Sequence, residues 1–300
     1  MTHPRLCGPQ CFLCVLLALG LGTGSVVASA LEVTSDFTVS WDKNFSRTSA
    51  TAYQKDLAVY DASLDVGWNR QLAPSWFLNL RGVVQVEDVS EYSAMNFVGA
   101  GPQFTLRRKF GLGAYAPVLE WTGGASGVTF REHGRSGTQA ETGLRLAKRL
   151  SEDWRISVEG DWEQFSANQP PFDTHDHRVQ ADATWDVTER WQAGFGGARL
   201  WGQKTANAAW AVYGQALGGA FGPAVQQYYR AIPWEPSNTF GPGWVAYRVD
   251  CRVDMWWVSL GPALSANTSL PLRYESVHLV NAVGIRYNSE FWSLSLVHRF

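Results

Sequence analysis

Apolar and polar residues alternate along most of this chain with a period of two. In Tyr60–Leu72, Tyr60, Ala62, Leu64, Val66, Trp68 and Leu72 share one face, interrupted by Arg70; Asp61, Ser63, Asp65, Gly67, Asn69 and Gln71 share the other. Trp154–Glu163 sets Trp154, Ile156, Val158, Gly160 and Trp162 against Arg155, Ser157, Glu159, Asp161 and Glu163. Arg178–Val187 divides the same way, with Val179, Ala181, Ala183, Trp185 and Val187 apolar. Val245–Trp257 puts Val245, Tyr247, Val249, Cys251, Val253, Met255 and Trp257 opposite Arg248, Asp250, Arg252 and Asp254. Successive side chains of a strand point to opposite faces, so each segment reads as a strand with one apolar and one highly polar surface.

Alternation alone fits a soluble sandwich or a membrane barrel; length and punctuation separate them. These strands run to about ten residues or more, against five or six in ordinary globular proteins, and a tilted strand crossing a bilayer needs that length. Short turns recur near residues 74, 111, 152 and 189, spaced by 37, 41 and 37. The connections between them are more variable: residues 44–56, 88–92, 131–136 and 167–174. The expected fold is an all-β, antiparallel up-and-down transmembrane barrel, with short turns at one end and longer loops at the other.

Tryptophan supports this. Trp76, Trp154 and Trp191 each stand at the first position after a short turn, in "QLAPSWFLNL", "KRLSEDWRIS" and "DVTERWQAGF". In a barrel that is a single height, where an indole ring meets lipid and its N–H meets headgroups. Hairpin packing in a soluble sheet is the plainer alternative.

The chain closes on "FWSLSLVHRF", with Trp292, Leu294, Leu296, His298 and Phe300 on one face. This resembles the terminal-strand signal of Gram-negative outer-membrane β-barrel proteins, which end on an aromatic residue with apolar residues at alternate preceding positions. His298 departs from that pattern. The resemblance covers residues 31–300 in pattern only. It implies residence in the outer membrane among its lipid and lipopolysaccharide, insertion by the barrel-assembly machinery, and Phe300 at the membrane interface.

Extending the hairpin spacing gives fourteen strands. The doubtful stretch is residues 206–229, "ANAAWAVYGQALGGAFGPAVQQYY", which has no charge and little alternation. Trp210, Tyr213, Leu217, Phe221, Val225 and Tyr228 recur there near helical spacing, while Gly214, Gly218, Gly219, Gly222 and Pro223 oppose a self-sufficient helix. If this stretch is an insertion, the barrel has twelve strands.

The first 30 residues break the pattern. One arginine, the apolar run "CFLCVLLALGLG" and the ending Ala28-Ser29-Ala30 have the three-part layout of a secretory signal cleaved after Ala30. An N-terminal anchor is the alternative. Of the four cysteines only Cys251 lies beyond this segment, so internal disulfides cannot hold the exported chain.

Charge adds one exclusion: 25 Lys+Arg against 27 Asp+Glu, scattered, give no basic stripe for nucleic acid. If the apolar faces meet lipid, the charged faces line the lumen. The expected lining includes Arg81, Arg107, Arg145, Arg155, Arg178, Asp182, Arg248, Asp250, Arg252 and Asp254, with Arg149, Arg286 and Arg299 as further basic candidates and the two signs near balance. Two arrangements stay open. The charges line an aqueous channel for passive passage of small hydrophilic solutes, or they pair across the lumen into a closed barrel that presents its loops. A hydrolase is the remaining class. "FDTHDHR" (Phe172–Arg178) is the only dense cluster, with His175 and His177 as weak metal-ligand candidates and a solvated loop as the commoner explanation. No nucleotide motif or cofactor box occurs, and no residue set reaches a catalytic assignment. "PWEPSNTFGPGW" (Pro233–Trp244) reads as a rigid external loop folded over the mouth.

Overall fold

The computed structural model describes residues 31–300, so the expected signal peptide and its cleavage site lie outside the described residues. The chain is an antiparallel meander of β1 (Leu31–Lys43), β2 (Leu57–Ala73), β3 (Trp76–Val89), β4 (Phe97–Lys109), β5 (Val118–Phe130), β6 (Gly137–Arg149), β7 (Trp154–Ala167), β8 (Thr174–Asp186) and β9 (Trp191–Ala209). Two helices follow, α1 (Trp210–Leu217) and α2 (Pro223–Ala231), then the short β10 (Trp234–Ser237). The meander resumes with β11 (Trp244–Ser265), the two-residue β12 (Thr268–Ser269), β13 (Leu272–Asn281) and β14 (Arg286–Arg299).

The sheet closes on itself. β14 pairs with β1 from Thr34↔Arg299 to Lys43↔Glu290, and the Phe300 N–H donates to Val33 O at 2.9 Å. Among the described residues twelve strands form the ring; β10 and β12 lie outside it and bring the total to fourteen. The ring lacks the extra hairpin expected in 206–229. Residues up to Ala209 complete β9, and the remainder folds into α1 and α2. Short helices are marginal in water, and Gly214 weakens α1 further, so they depend on what they pack against.

They pack into the largest apolar cluster of the molecule. Tyr213, Ala216 and Tyr229 of the helices meet Tyr247, Val249 and Val253 of β11, Leu200 of β9, Leu279 of β13 and Tyr287 of β14. Tyr229 and Tyr247 both share hydrogen bonds with the Tyr287 hydroxyl, at 2.9 and 3.3 Å.

The ends of β9 and β11 lean across the long-loop end of the barrel, its mouth, and this segment touches every other mouth loop. Asn207 donates to Ser46 O after β1 at 3.0 Å; Phe240 packs on Tyr92 after β3 at 4.9 Å. Thr239 donates to Glu132 after β5 at 2.6 Å, and Thr205 donates to Pro171 O after β7 at 2.9 Å. Arg135, only 6% exposed, is held by Glu132 at 2.7 Å and lies 4.1 Å over the Phe172 ring. Burial lowers its pKa, and Glu132 acts in the opposite direction.

Candidate functional site

Cross-strand register shows which face each side chain occupies, because paired residues share a face. The run Trp154↔Trp185↔Ala193↔Leu260↔Leu272↔Leu294↔Val39↔Tyr60 follows one face around the barrel. This is the outer face: Leu260, Leu272, Leu294 and Trp185 are at least 40% exposed although large and apolar, as lipid contact requires.

Trp154 and Trp191 stand on this face directly above their turns, and Trp76 does so on β3. Trp154 stacks on Trp185 at 5.6 Å with planes 5° apart; Trp76 carries the Arg108 guanidinium at 5.2 Å. Trp41 and Trp292, direct register partners, stand near the other end, with Tyr274 4.7 Å from Trp292. Phe300 shares this outer face with His298, its ring 4.5 Å away.

The inner face carries the charges. Arg107 reaches Glu120 at 2.5 Å and Arg178 reaches Asp161 at 3.0 Å. Arg155 binds Asp186 at 2.9 Å, and Arg149 approaches the same carboxylate at 3.6 Å. Arg145 donates to Ser157 at 2.9 Å, with Asp182 at 3.8 Å and Glu120 at 3.9 Å, while Arg81 lies 3.8 Å from Asp65. Lys204–Asp176, Arg273–Glu275 and Arg299–Glu32 complete the set. Each of these pairs joins one strand to itself, to its neighbour, or to the next strand but one. Among the described residues none spans the lumen, so the ladders run along the wall.

The expected lining is wrong for one strand. Val253 pairs with Leu200 and Trp257 with Gly196, both on the inner face. Asp250, Arg252 and Asp254 therefore point outward, and so does Arg286, paired with Val280; Arg248, also off the inner face, donates to Asp173 O of the β7–β8 loop at 3.1 Å. Asp254 meets Arg199 at 2.5 Å and Arg252 at 3.3 Å outside the wall. The physical reason lies on the other face: Tyr247, Val249 and Val253 back onto the helices, so their apolar side is spent on an internal core and not on lipid. These charges lie on the mouth-side half of β11, Arg252 paired in register with Trp201, where headgroups replace hydrocarbon. The lower half of β11 carried the missing signal. Trp256, Val258, Leu260 and Leu264 form an unbroken apolar outer row up from the turn.

This correction changes the charge balance of the lumen. Every inward-facing lysine and arginine named above is paired, whereas Asp36, Asp61, Glu87, Glu141 and Glu163 face inward with no base within the 4.0 Å of an ion pair. The interior is acidic rather than balanced.

The "FDTHDHR" cluster does not converge. His175 and His177 point outward, His177 beside Trp162, while Asp176 points inward to Lys204. No group of three or more His, Cys, Asp or Glu suited to a metal ion occurs among the described residues.

A cavity of about 330 Å³, partly open to the lumen, lies against the wall from β3 to β8. Phe97, Phe130 and Phe165 line its mouth side, and Gln103, Glu141 and Glu163 line it further down.

Fold and faces together define a transmembrane β-barrel. A scan against protein-family models gives no match, and a sequence search of curated proteins gives none. Among solved structures the chain is similar to an outer-membrane channel from Pseudomonas putida, with a TM-score of 0.59 at 11% identity over 93% of this chain and 98% of that one. It is more distantly similar to the NanC porin (0.46, 9% identity, 88% and 98% covered) and to the outer-membrane channel DcaP of Acinetobacter baumannii (0.42, 9% identity, 93% and 100% covered). The first supports the architecture; the other two are too distant to add to it.

Proposed function

We propose that the protein is a passive channel for small hydrophilic solutes, with a preference for cations. The observation that carries this is the placement of the ion pairs along the wall. Charges paired across the lumen would close it; charges paired along the wall of a twelve-stranded ring leave a wet interior. Its unpaired carboxylates then set the sign of the preferred solute, as rings of acid do in cation channels. The lining residues in this reading are Arg81, Arg107, Arg145, Arg155, Arg178 and Asp182. The outward Arg199, Arg252 and Asp254 meet the lipopolysaccharide headgroups, and β14 with Phe300 is the strand presented to the assembly machinery.

A second reading, a closed barrel presenting its loops, is favoured by the mouth, where buried Arg135 and the Phe240 contacts lock the loops together. The test is single-channel recording of the purified protein in a planar bilayer under a salt gradient. Discrete steps whose reversal potential favours cations are expected. Silence from protein shown to be folded by heat-shifted gel mobility would leave the closed barrel.

A further inference from the structure

The cavity on the β3–β8 wall has two kinds of lining. On its mouth side three phenyl rings from different strands form a row: Phe97 lies 5.0 Å from Phe130, and Phe130 lies 6.4 Å from Phe165. Below them Glu141 and Glu163 are direct register partners on adjacent strands. Like charges placed opposite each other destabilise a sheet, yet this pair stands without a base. Lys204 is taken by Asp176 at 2.5 Å, and Arg178 by Asp161 at 3.0 Å. The Gln103 amide donates to Glu141 at 2.8 Å and fixes that carboxylate. Gly124 clears its position, since a Cβ there would come within 2.8 Å of Gln103 Cγ and 3.1 Å of the Glu141 carboxylate.

An aromatic face attracts a cation through its quadrupole, most strongly where water is partly excluded. Two carboxylates lacking counter-charges add direct Coulomb attraction. A cavity of about 330 Å³ is at the small end of ligand pockets. We propose that it is a binding subsite for a small organic cation, an ammonium group held by Glu141 and Glu163 with its apolar part against Phe97, Phe130 and Phe165. The proposal rests on the cation-preferring channel reading and specifies its solute class.

The test is isothermal titration of the folded, full-length protein in neutral detergent with benzyltrimethylammonium, and with benzenesulfonate as the anion of matched shape. Saturable binding of the cation and none of the anion is expected. The Glu141→Gln/Glu163→Gln double variant should bind the cation about tenfold more weakly, equivalent to about 1.4 kcal/mol, and Phe130→Leu several-fold more weakly. Equal binding of cation and anion overturns the proposal, and that comparison needs no variant to fold. Unchanged affinity in a folded double-glutamine variant also overturns it. Bilayer recordings of the same preparation keep the two readings apart. Conductance without cation binding removes the subsite alone, whereas cation binding with silent bilayers removes the channel alone.

Discussion

β7 and β11 have the same alternation and opposite orientations. In β7 the apolar residues Trp154, Ile156, Val158 and Trp162 face lipid, and Arg155, Glu159 and Asp161 face the lumen. In the upper part of β11 the apolar Tyr247, Val249 and Val253 face inward, and Asp250, Arg252 and Asp254 face outward. The two strands differ in what lies inside them. The inner face of β7 carries ion pairs, Arg155 with Asp186 and Asp161 with Arg178, while that of β11 looks onto α1 and α2. A period of two shows that a strand's faces differ; its surroundings decide which face is which.

The sharpest way to break this contrast is to remove the inward anchor of β11. Tyr247 is 2% exposed and sits among Tyr213, Tyr229 and Tyr287. Tyr247→Ala should cost about 3–5 kcal/mol, as large-to-small changes of buried aromatics do, read from denaturant unfolding of the vesicle-reconstituted protein. Arg252→Ala, on the same strand but facing out, should stay within about 0.5 kcal/mol. Equal costs would mean that β11 has no internal core. Lower on the strand a single step should reverse the outcome. Val258→Arg places a charge in the lipid belt, at a cost of about 2–4 kcal/mol near the bilayer centre. Ser259→Arg turns the same charge into the lumen and should cost much less.

Much of the fold could be read in the sequence because hairpin spacing and turn-proximal tryptophans are local signals. β7 and β8 were legible residue by residue, and the alternative of twelve strands followed from the missing alternation in 206–229. The facing of β11 was not legible from its upper half. Arg248, Asp250, Arg252 and Asp254 look like a lumen ladder until the helices are placed, and two short helices separated by Gly218, Gly219 and Gly222 leave a weak trace in sequence. The subsite was hidden for a related reason. Phe97, Phe130 and Phe165 lie far apart in the chain, on strand ends where alternation gives way to loops, and only the register brings their rings together.

The inner wall should answer to charge as well. Arg145 faces Ser157, Asp182 and Glu120, so Arg145→Ala should leave more uncompensated acid in the lumen. One unit charge a few ångströms away in a watery environment is worth about 1 kcal/mol. The cation-to-anion permeability ratio should therefore rise about twofold to fivefold in reversal-potential measurements. Arg252→Ala should leave the ratio unchanged, and a shift of similar size there would place that side chain in the lumen after all.

The smallest expected effect separates the mouth cover from the wall. Glu235 of β10 has its carboxyl pKa raised, first by burial and then by Glu132 nearby, with Arg135 opposing. A carboxylic acid whose pKa is higher in the closed cover than in the released one binds its proton more tightly when closed. Closure is therefore favoured as pH falls through the raised value toward the ordinary glutamate range, gains nothing further below that range, and is weakest above the raised value. Protease nicking within Pro233–Trp244 should be slower near about pH 5 than near about pH 8 after correction for the protease's own pH profile. Glu235→Gln, uncharged throughout, should remove most of the difference. The wall strands β2 to β8 should show no change over the same range. Faster nicking at the lower pH, or a slope that survives in Glu235→Gln, would show that Glu235 does not govern the closure of the mouth.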